Sequence, residues 1–190
     1  MEKIMVVISV LMITSCAPTP SSHERHIQKP ASGTASEQIE YEQHIQKLAF
    51  GTPTEQIEIA ISALESAGPA AYPALVGHLK DSTRAADDFQ TQDVLWDLGH
   101  PSIGDVCFDI IQGQVEGRWP KGYRQYYVLT PQNTKRWLDA HKGLSLRELR
   151  IAAAQESLRR AESEIRHNTA NDFQKGMIKF LRDNLQEARE

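Results

Sequence analysis

Histidine and carboxylate residues are the first candidates for chemistry in this 190-residue sequence. His23 and His26 have an HxxH spacing that could place two imidazoles on one metal ion. No predicted element fixes a carboxylate or thiol beside them, and a metal site needs such supporting contacts to be ordered. The sequence therefore predicts no metal site and no cofactor.

Two pairs of carboxylates could suggest acid–base catalysis. Glu58 and Glu65, and likewise Asp93 and Asp97, lie near one face of a predicted helix. Such pairs are mostly surface charge, because a glycosidase needs them in a cleft with one pKa raised. Phosphate-binding glycine loops and the GxSxG and HExxH motifs do not occur in the sequence. We expect no catalytic residues, and a pocket with two or more convergent polar side chains would favour the alternative of a cell-wall enzyme.

An aromatic and basic stretch, RWPKGYRQYYVL at residues 118–129, is the best candidate for recognition. Its Trp-Pro and Lys-Gly pairs are turn sequences, so a loop is predicted. Tyr, Trp and Arg often anchor protein interfaces, and binding residues collect on loops. The alternative is that the side chains fill the junction between flanking helices, because large aromatics are usually partly buried. The candidate protein-binding residues are Trp119, Tyr123, Arg124, Tyr126 and Tyr127.

The N-terminus, MEKIMVVISVLMITSC, has the pattern of a targeting segment: Lys3 precedes an apolar run too short to span a bilayer. Its last four residues, ITSC, resemble a bacterial lipobox, where signal peptidase II cuts before a cysteine that is then lipidated. The resemblance implies a signal peptide over residues 1–15 and acyl chains, such as palmitate, on Cys16. The alternatives are a secretory signal cleaved after Ser15 or later, and an uncleaved anchor.

The lipobox resemblance also implies a location and one membrane partner. More than one acyl chain on Cys16 gives stable membrane attachment. Ala17 stands where an aspartate signals inner-membrane retention in Gram-negative lipoproteins, so the expected site is the periplasmic face of the outer membrane. With Cys16 acylated, the second cysteine, Cys107, has no partner for an internal disulfide.

Residues 16–50 predict a flexible tether that contains a degenerate tandem duplication. HIQKPASGTASEQIE at 26–40 matches HIQKLAFGTPTEQIE at 44–58. Pro30 and Ser32 replace Leu48 and Phe50, so the first copy has lost its apolar anchors. We interpret it as a solvated spacer in which residues 37–50 could form a short helix.

A helical hairpin is predicted over residues 52–81. Thr52 and Glu55 suit a capping box, with Pro53 in the first turn. Gly68 should end the first helix, and apolar residues at i, i+3, i+4 and i+7 mark both helices. The two helices should pack as an antiparallel pair. The apolar positions are Ile57, Ala60, Ile61 and Leu64, followed by Tyr72, Leu75, Val76 and Leu79.

A shift of 31 residues gives a second, weaker unit, in which Tyr72 corresponds to Ile103 and Val76 to Cys107. This period is typical of an α-solenoid. The GPAAYPAL string resembles bacterial HEAT-like repeats, which implies a binding scaffold without shared catalytic residues. The equivalence with Val76 also predicts that Cys107 is a core residue and not a nucleophile.

The remaining sequence, residues 118–190, predicts the aromatic loop and then C-terminal helices. Thr130 and Pro131 should begin a helix that ends at Ala140. Ser145 and Glu148 form a predicted capping box for a long helix that reaches about residue 167. A last helix should close an αα-hairpin. The predicted fold class is therefore all-α: a short α-solenoid of HEAT-like hairpins in residues 51–117, followed by a C-terminal αα-hairpin.

Charge is divided unevenly along the chain. Residues 37–117 contain three Lys or Arg and fourteen Asp or Glu, whereas residues 118–190 contain fifteen and nine. The two parts could attract one another, or the acidic part could bind a basic partner. A nucleic-acid partner is not expected for an acidic, exported protein.

These observations predict a non-enzymatic, membrane-tethered envelope lipoprotein whose helical scaffold binds an unidentified envelope protein. The alternative is an immunity or inhibitor-type lipoprotein that neutralises a toxin or hydrolase through its acidic surface. The lipobox-like stretch, the tether and the hairpin repeat motivate the first hypothesis, and the acidic surface motivates the second.

Replacement of Cys16 by Ser should release the protein from membranes, because the acyl chains would have no attachment point. Fractionation of cells into membrane and soluble parts measures this directly. If the Cys16→Ser protein stays in the membrane fraction, lipidation is not the anchor.

Overall fold

A computed structural model describes residues 33–86, 100–166 and 171–190 of the chain. Within these ranges the chain forms helices and two isolated β-bridges, with no strand, so the all-α class is confirmed for the described residues. The predicted signal peptide, Cys16, the HxxH pair and the first helix of the second unit lie outside them. The helices are α1 (Ala35–Gln46), α2 (Thr54–Ala67), α3 (Tyr72–Gly77), α4 (Ile103–Val115), α5 (Thr134–Ala140), α6 (Leu146–Arg166) and α7 (Asp172–Arg189).

Helix α1 corrects the predicted tether over residues 16–50. Thr34 caps this helix and forms a capping box with Glu37. Tyr41, Ile45 and Leu48 are buried and pack in the core. The short helix allowed for residues 37–50 is thus present, but the prediction of a solvated, flexible segment is wrong for residues 35–48, because three apolar side chains at helical spacing are buried in the core. Residues 16–32 lie outside the described part.

The α2–α3 hairpin begins differently from the prediction. Pro53 occupies the N-cap position, and no side chain caps the helix, so the predicted capping box of Thr52 and Glu55 is wrong. Thr52 lies one residue too early to cap a helix that begins at Thr54. Gly68 ends α2 with a φ of 56°, as predicted, and a short 3-10 helix, Gly68–Ala70, then reverses the chain into α3.

Helix α4 lies against both helices of that hairpin. Its close approach to the end of α3 requires Gly104, because a Cβ there would lie 2.8 Å from the carbonyl oxygen of Leu79. The main core consists of buried side chains from α1 to α4, joined by Val128, Leu129 and residues of α5 and α6. From α4 it receives Ile103, Val106, Cys107, Ile110, Ile111 and Val115.

The helices after the aromatic loop follow local signals with one exception. Helix α5 begins at Thr134, not at Thr130, because the side chain of Asn133 accepts the N–H of Thr130 and forms a turn. The capping box of Ser145 and Glu148 is confirmed at the start of α6. Helices α6 and α7 pack together as the predicted αα-hairpin.

The packing of α1 can be tested with two isoleucines on the same helix. Ile45 is fully buried, whereas 62% of Ile39 is exposed. Ile45→Ala should lower the free energy of unfolding by about 2–5 kcal/mol, because it leaves a cavity in the main core. Urea denaturation measures the change, and Ile39→Ala should alter it by less than about 0.5 kcal/mol. Equal effects at both positions would contradict the packed position of α1.

Candidate functional site

The aromatic loop contains a 3-10 helix, Lys121–Tyr126, and packs against α6 and α7. Trp119 and Tyr126 are buried, while Tyr123, Arg124 and Tyr127 are half-buried. These aromatic side chains join residues of α6 and α7 in a second cluster, which we call the C-terminal cluster. Its buried members are Trp119, Tyr126, Ala161, Met177 and Leu181.

Ring contacts show which way the loop faces. The ring centroid of Trp119 lies 4.5 Å from that of Tyr127 and 5.8 Å from that of Phe180. Tyr123 contacts Phe173 at 5.5 Å and Phe180 at 5.0 Å. The aromatic rings of the loop thus contact one another and the rings of α7. This agrees with the alternative in which these side chains fill the junction between flanking helices. A role in partner binding stays a prediction for these residues.

Hydrogen bonds fix the loop in this position. The hydroxyl of Tyr127 accepts the backbone N–H of Trp119 and donates to the carbonyl of Gly117. Arg124 donates from Nε to the carbonyl of Trp119 at 3.1 Å. Tyr126 donates to Glu164 at 2.6 Å; burial, together with this carboxylate, raises the pKa of Tyr126 to about 12. The loop is therefore held by its own side chains.

Glu116 is a buried acid that the sequence analysis did not identify. Its carboxylate accepts the backbone N–H groups of Val128 and Leu129 and an amide hydrogen bond from Gln112. Burial raises the pKa of Glu116 to about 7, although these hydrogen bonds oppose the shift. A glutamate directly after an apolar helix, beside a glycine, was the only sequence signal that could have indicated it.

A cavity of about 250 Å³ lies beside Glu116, between the end of α4, the start of the loop and the α6–α7 hairpin. Trp119 and Asn184 line the cavity as residues, but the indole Nε1 and the amide Nδ2 are themselves buried away from its surface, without a hydrogen-bond partner among the described residues. Arg150 from α6 and Glu187 from α7 also line the cavity. The structure thus brings Trp119 and Glu116 together with three polar side chains that are distant in sequence, Arg150, Asn184 and Glu187.

This cavity has the convergent polar side chains that we required for a cell-wall enzyme. However, both oxygens of Glu116 already accept hydrogen bonds, and Glu187 is exposed. The two carboxylates of the lining therefore do not form the pair in a closed cleft that a glycosidase needs. Glu58 and Glu65 are exposed on α2 and do not line it.

Cys107 lies in the core, and His78 lies in a hydrogen-bonded group of carboxylates. Cys107 is fully buried, and burial raises its pKa to about 12, as expected of an unreactive thiol. His78 lies between Glu42 at 2.7 Å and Asp81 at 3.1 Å. Partial burial alone would lower the pKa of His78, but hydrogen bonds to the two carboxylates outweigh it and raise that pKa. His78 thus hydrogen-bonds to both carboxylates.

Comparison of the chain with protein-family models, with curated proteins and with solved structures found no match. Across residues 33–86, 100–166 and 171–190, no helix is both long and apolar enough to cross a membrane. The same ranges contain no group of three or more His, Cys, Asp or Glu residues that could hold a metal ion.

The buried Glu116 predicts a pH dependence of stability. The pKa of Glu116 is about 7 in the folded chain and 4.5 without burial. The unfolding free energy that depends on a protonated Glu116 is therefore fully present below about pH 4.5 and is lost as pH rises through about 7. Raising the pH from about 5 to about 8 should therefore make the Glu116→Gln protein more stable relative to the unmodified protein, by up to about 3 kcal/mol in unfolding free energy. Urea denaturation of both proteins at the two pH values measures the shift.

Glu148→Gln is the control for this experiment. Hydrogen bonds from Ser145 lower the pKa of Glu148, so its contribution is lost only as pH falls below the ordinary range of a glutamate. The Glu148→Gln difference should thus be the same at both pH values. A Glu116→Gln difference that also stays constant would show that the carboxylate is not buried in the folded protein.

Proposed function

We propose that this protein is a non-enzymatic, membrane-tethered envelope lipoprotein whose helical scaffold binds a protein with a basic contact surface. The observation that carries the proposal is the outer surface of α1 and α2, which combines carboxylates with exposed isoleucines. Both helices lack Lys and Arg, and they pack side by side. We call this area the acidic face; its exposed members include Ile39, Glu40, Glu55, Glu58, Ile59 and Glu65.

Carboxylates of the acidic face are open to a partner. Glu55, Glu58 and Glu65 are exposed and form no ion pair with any of the described residues. Lys179 and Arg182 in the basic part instead pair with Asp183 and Glu162 of the same part. Among the described residues, Glu55, Glu58 and Glu65 are therefore not paired with the basic part of the chain, and a basic partner would be their electrostatic complement.

The isoleucines add an apolar component to the same surface. Ile59 is 55% exposed on the side of α2 opposite to the buried Ile57, Ala60 and Leu64, and Ile39 is 62% exposed on α1. Apolar side chains among charged ones are the arrangement by which an interface combines burial of area with charge complementarity. A basic segment with apolar residues would contact both kinds of side chain.

The proposal also includes a short α-solenoid fold and a lipid anchor at Cys16. Helices α3 and α4 pack against each other, as the second helices of successive HEAT-like units would. The buried positions Tyr72 and Leu75 of α3 correspond to Ile103 and Val106 of α4, which supports the short α-solenoid. We propose lipidation at Cys16 and the periplasmic face of the outer membrane on the lipobox resemblance alone.

An inhibitor or immunity role is the second candidate, because the unpaired carboxylates would equally suit a basic toxin or hydrolase. The two roles differ in what happens to the partner. If the captured partner is an enzyme or toxin whose activity falls when this chain is added, the inhibitor role is the correct one. If its activity is unchanged, the chain acts as a scaffold.

Photo-crosslinking in the native envelope tests the proposal. A photoreactive phenylalanine analogue at Ile59 should form a discrete adduct with one envelope protein, and the same analogue at Gln186, exposed on α7, should not. Combining it with Glu55→Lys and Glu58→Lys should lower the adduct yield at least about tenfold, as expected for loss of about 1.4 kcal/mol of binding. Mass spectrometry identifies the partner and the crosslinked segment, which should be rich in Lys and Arg.

A charge-matched control separates contact from net charge. Asp139→Lys with Asp183→Lys gives the same change in net charge on exposed sites of α5 and α7, and it should leave the adduct at position 59 intact. An adduct that survives reversal of Glu55 and Glu58, or one that forms equally at position 186, would overturn the assignment of the acidic face.

A further inference from the structure

His78 connects α1 to the turn that follows α3. Its Nε2 lies 2.7 Å from Oε2 of Glu42 on α1, and its Nδ1 lies 3.1 Å from Oδ2 of Asp81 in the turn. Each ring nitrogen therefore faces a carboxylate oxygen, which can only accept a hydrogen bond. A neutral imidazole carries a single N–H, so only the protonated ring has a donor for both oxygens. This arrangement thus depends on the charge of His78.

The two carboxylates differ in how firmly they are held. Asp81 also accepts the backbone N–H of Thr83 at 2.9 Å, and hydrogen bonds from Thr83, followed by that from His78, lower the pKa of Asp81 to about 2. The side chain of Glu42 is 44% exposed, and among the described residues it bonds only to His78. A neutral ring would turn a lone pair towards one of these carboxylates. Because Asp81 is fixed and Glu42 can move into solvent, deprotonation weakens the contact with α1.

The groups around His78 leave it as the one that changes charge near neutral pH. Partial burial alone would lower the pKa of His78, but the hydrogen bonds and charges of Glu42 and Asp81 raise it above its ordinary value of 6.5. Among the described residues, these two carboxylates are the charges that act on the ring. Cys107 of α4 lies within electrostatic range of both. Burial, followed by their charges, raises the pKa of Cys107 to about 12, so this thiol stays neutral where a histidine titrates.

The contact with Glu42 holds the helix that carries part of the acidic face. Near the start of α1, Nε2 of Gln38 donates to the carbonyl of Ala70 at 2.8 Å, and Glu42 attaches the helix about one turn further on. The exposed residues Ile39 and Glu40 lie between these two attachment points. Weakening the second attachment therefore acts directly on the segment of α1 that contributes to the acidic face.

We propose that His78 is a pH-dependent latch: its protonation fastens α1 to the turn after α3, and its deprotonation loosens this helix. The pKa of His78 is ordinary when α1 is detached and raised when α1 is packed. The stabilisation is therefore fully present below about pH 6.5 and is lost as pH rises through the higher pKa of the packed state. An effect on a partner at the acidic face rests on the proposed function, whereas the latch itself does not.

Hydrogen exchange of the full chain, followed by nuclear magnetic resonance at about pH 5.5 and about pH 8, tests the latch. The backbone amides of Tyr41 and Ile45 report how often α1 opens. Their exchange rates in the His78→Gln chain are divided by those in the unmodified chain at the same pH, which cancels the pH dependence of the exchange chemistry and of Glu116. This ratio should be about two- to fivefold at the lower pH, the range of a partly exposed ion pair, and should fall towards one at the higher pH.

A double-mutant cycle shows whether His78 acts through Glu42. Glu42→Gln should raise the opening of α1 by a similar factor at the lower pH, and adding His78→Gln to it should bring little further change, because the two groups act as a pair. Glu40→Gln is the matched control, since it makes the same substitution at an exposed glutamate of the same helix. Its effect should be independent of His78→Gln at both pH values.

Two results would overturn the proposal: His78→Gln changes the opening of α1 by the same factor at both pH values, or the effects of His78→Gln and Glu42→Gln multiply as independent changes at the lower pH. Neither result bears on partner binding, because hydrogen exchange is measured on the chain alone and crosslinking at Ile59 is a separate measurement. Failure of the latch and failure of the protein-binding role are therefore distinguishable.

Discussion

The carboxylate of Glu116 accepts the backbone N–H groups of Val128 and Leu129, and the arrangement of the aromatic loop depends on this interaction. Burial of a carboxylate is costly unless its oxygens are satisfied, and here three donors satisfy them. The interaction brings the two ends of the loop together. Val128 and Leu129 then lie in the main core, while Trp119 lies in the C-terminal cluster. The cavity lies between the main core and the C-terminal cluster.

Local signals predicted much of the helical part. The capping box at Ser145 and the glycine at Gly68 were read correctly because each acts within four residues of its own position. The apolar stripe of α4 also predicted its buried side, including Cys107. The errors at Thr52 and Thr130 are shifts of helix starts by one and by four residues, where Pro53 and a turn through Asn133 displaced the expected first turn.

The candidate site could not be predicted from the sequence in the same way. Its side chains come from the end of α4, the loop, α6 and α7, and no spacing rule connects Glu116 with Arg150 or Asn184. Trp119 was recognised as a candidate for its residue type alone, and its neighbours depend on how α7 packs on α6. A short helix near α1 was expected, but its packing in the core was not, because Tyr41 and Ile45 are isolated apolar residues in a polar segment until a core surface exists to receive them.

The buried Cys107 gives this fold an internal reporter. Its thiol has no exposed surface, and burial raises its pKa to about 12, so alkylating reagents can react with it only when α4 separates from α2 and α3. The rate of labelling at this atom therefore measures how often the main core opens. Because the reaction needs neither purification nor an optical signal, that opening frequency can be compared between an isolated chain and one still in its cell.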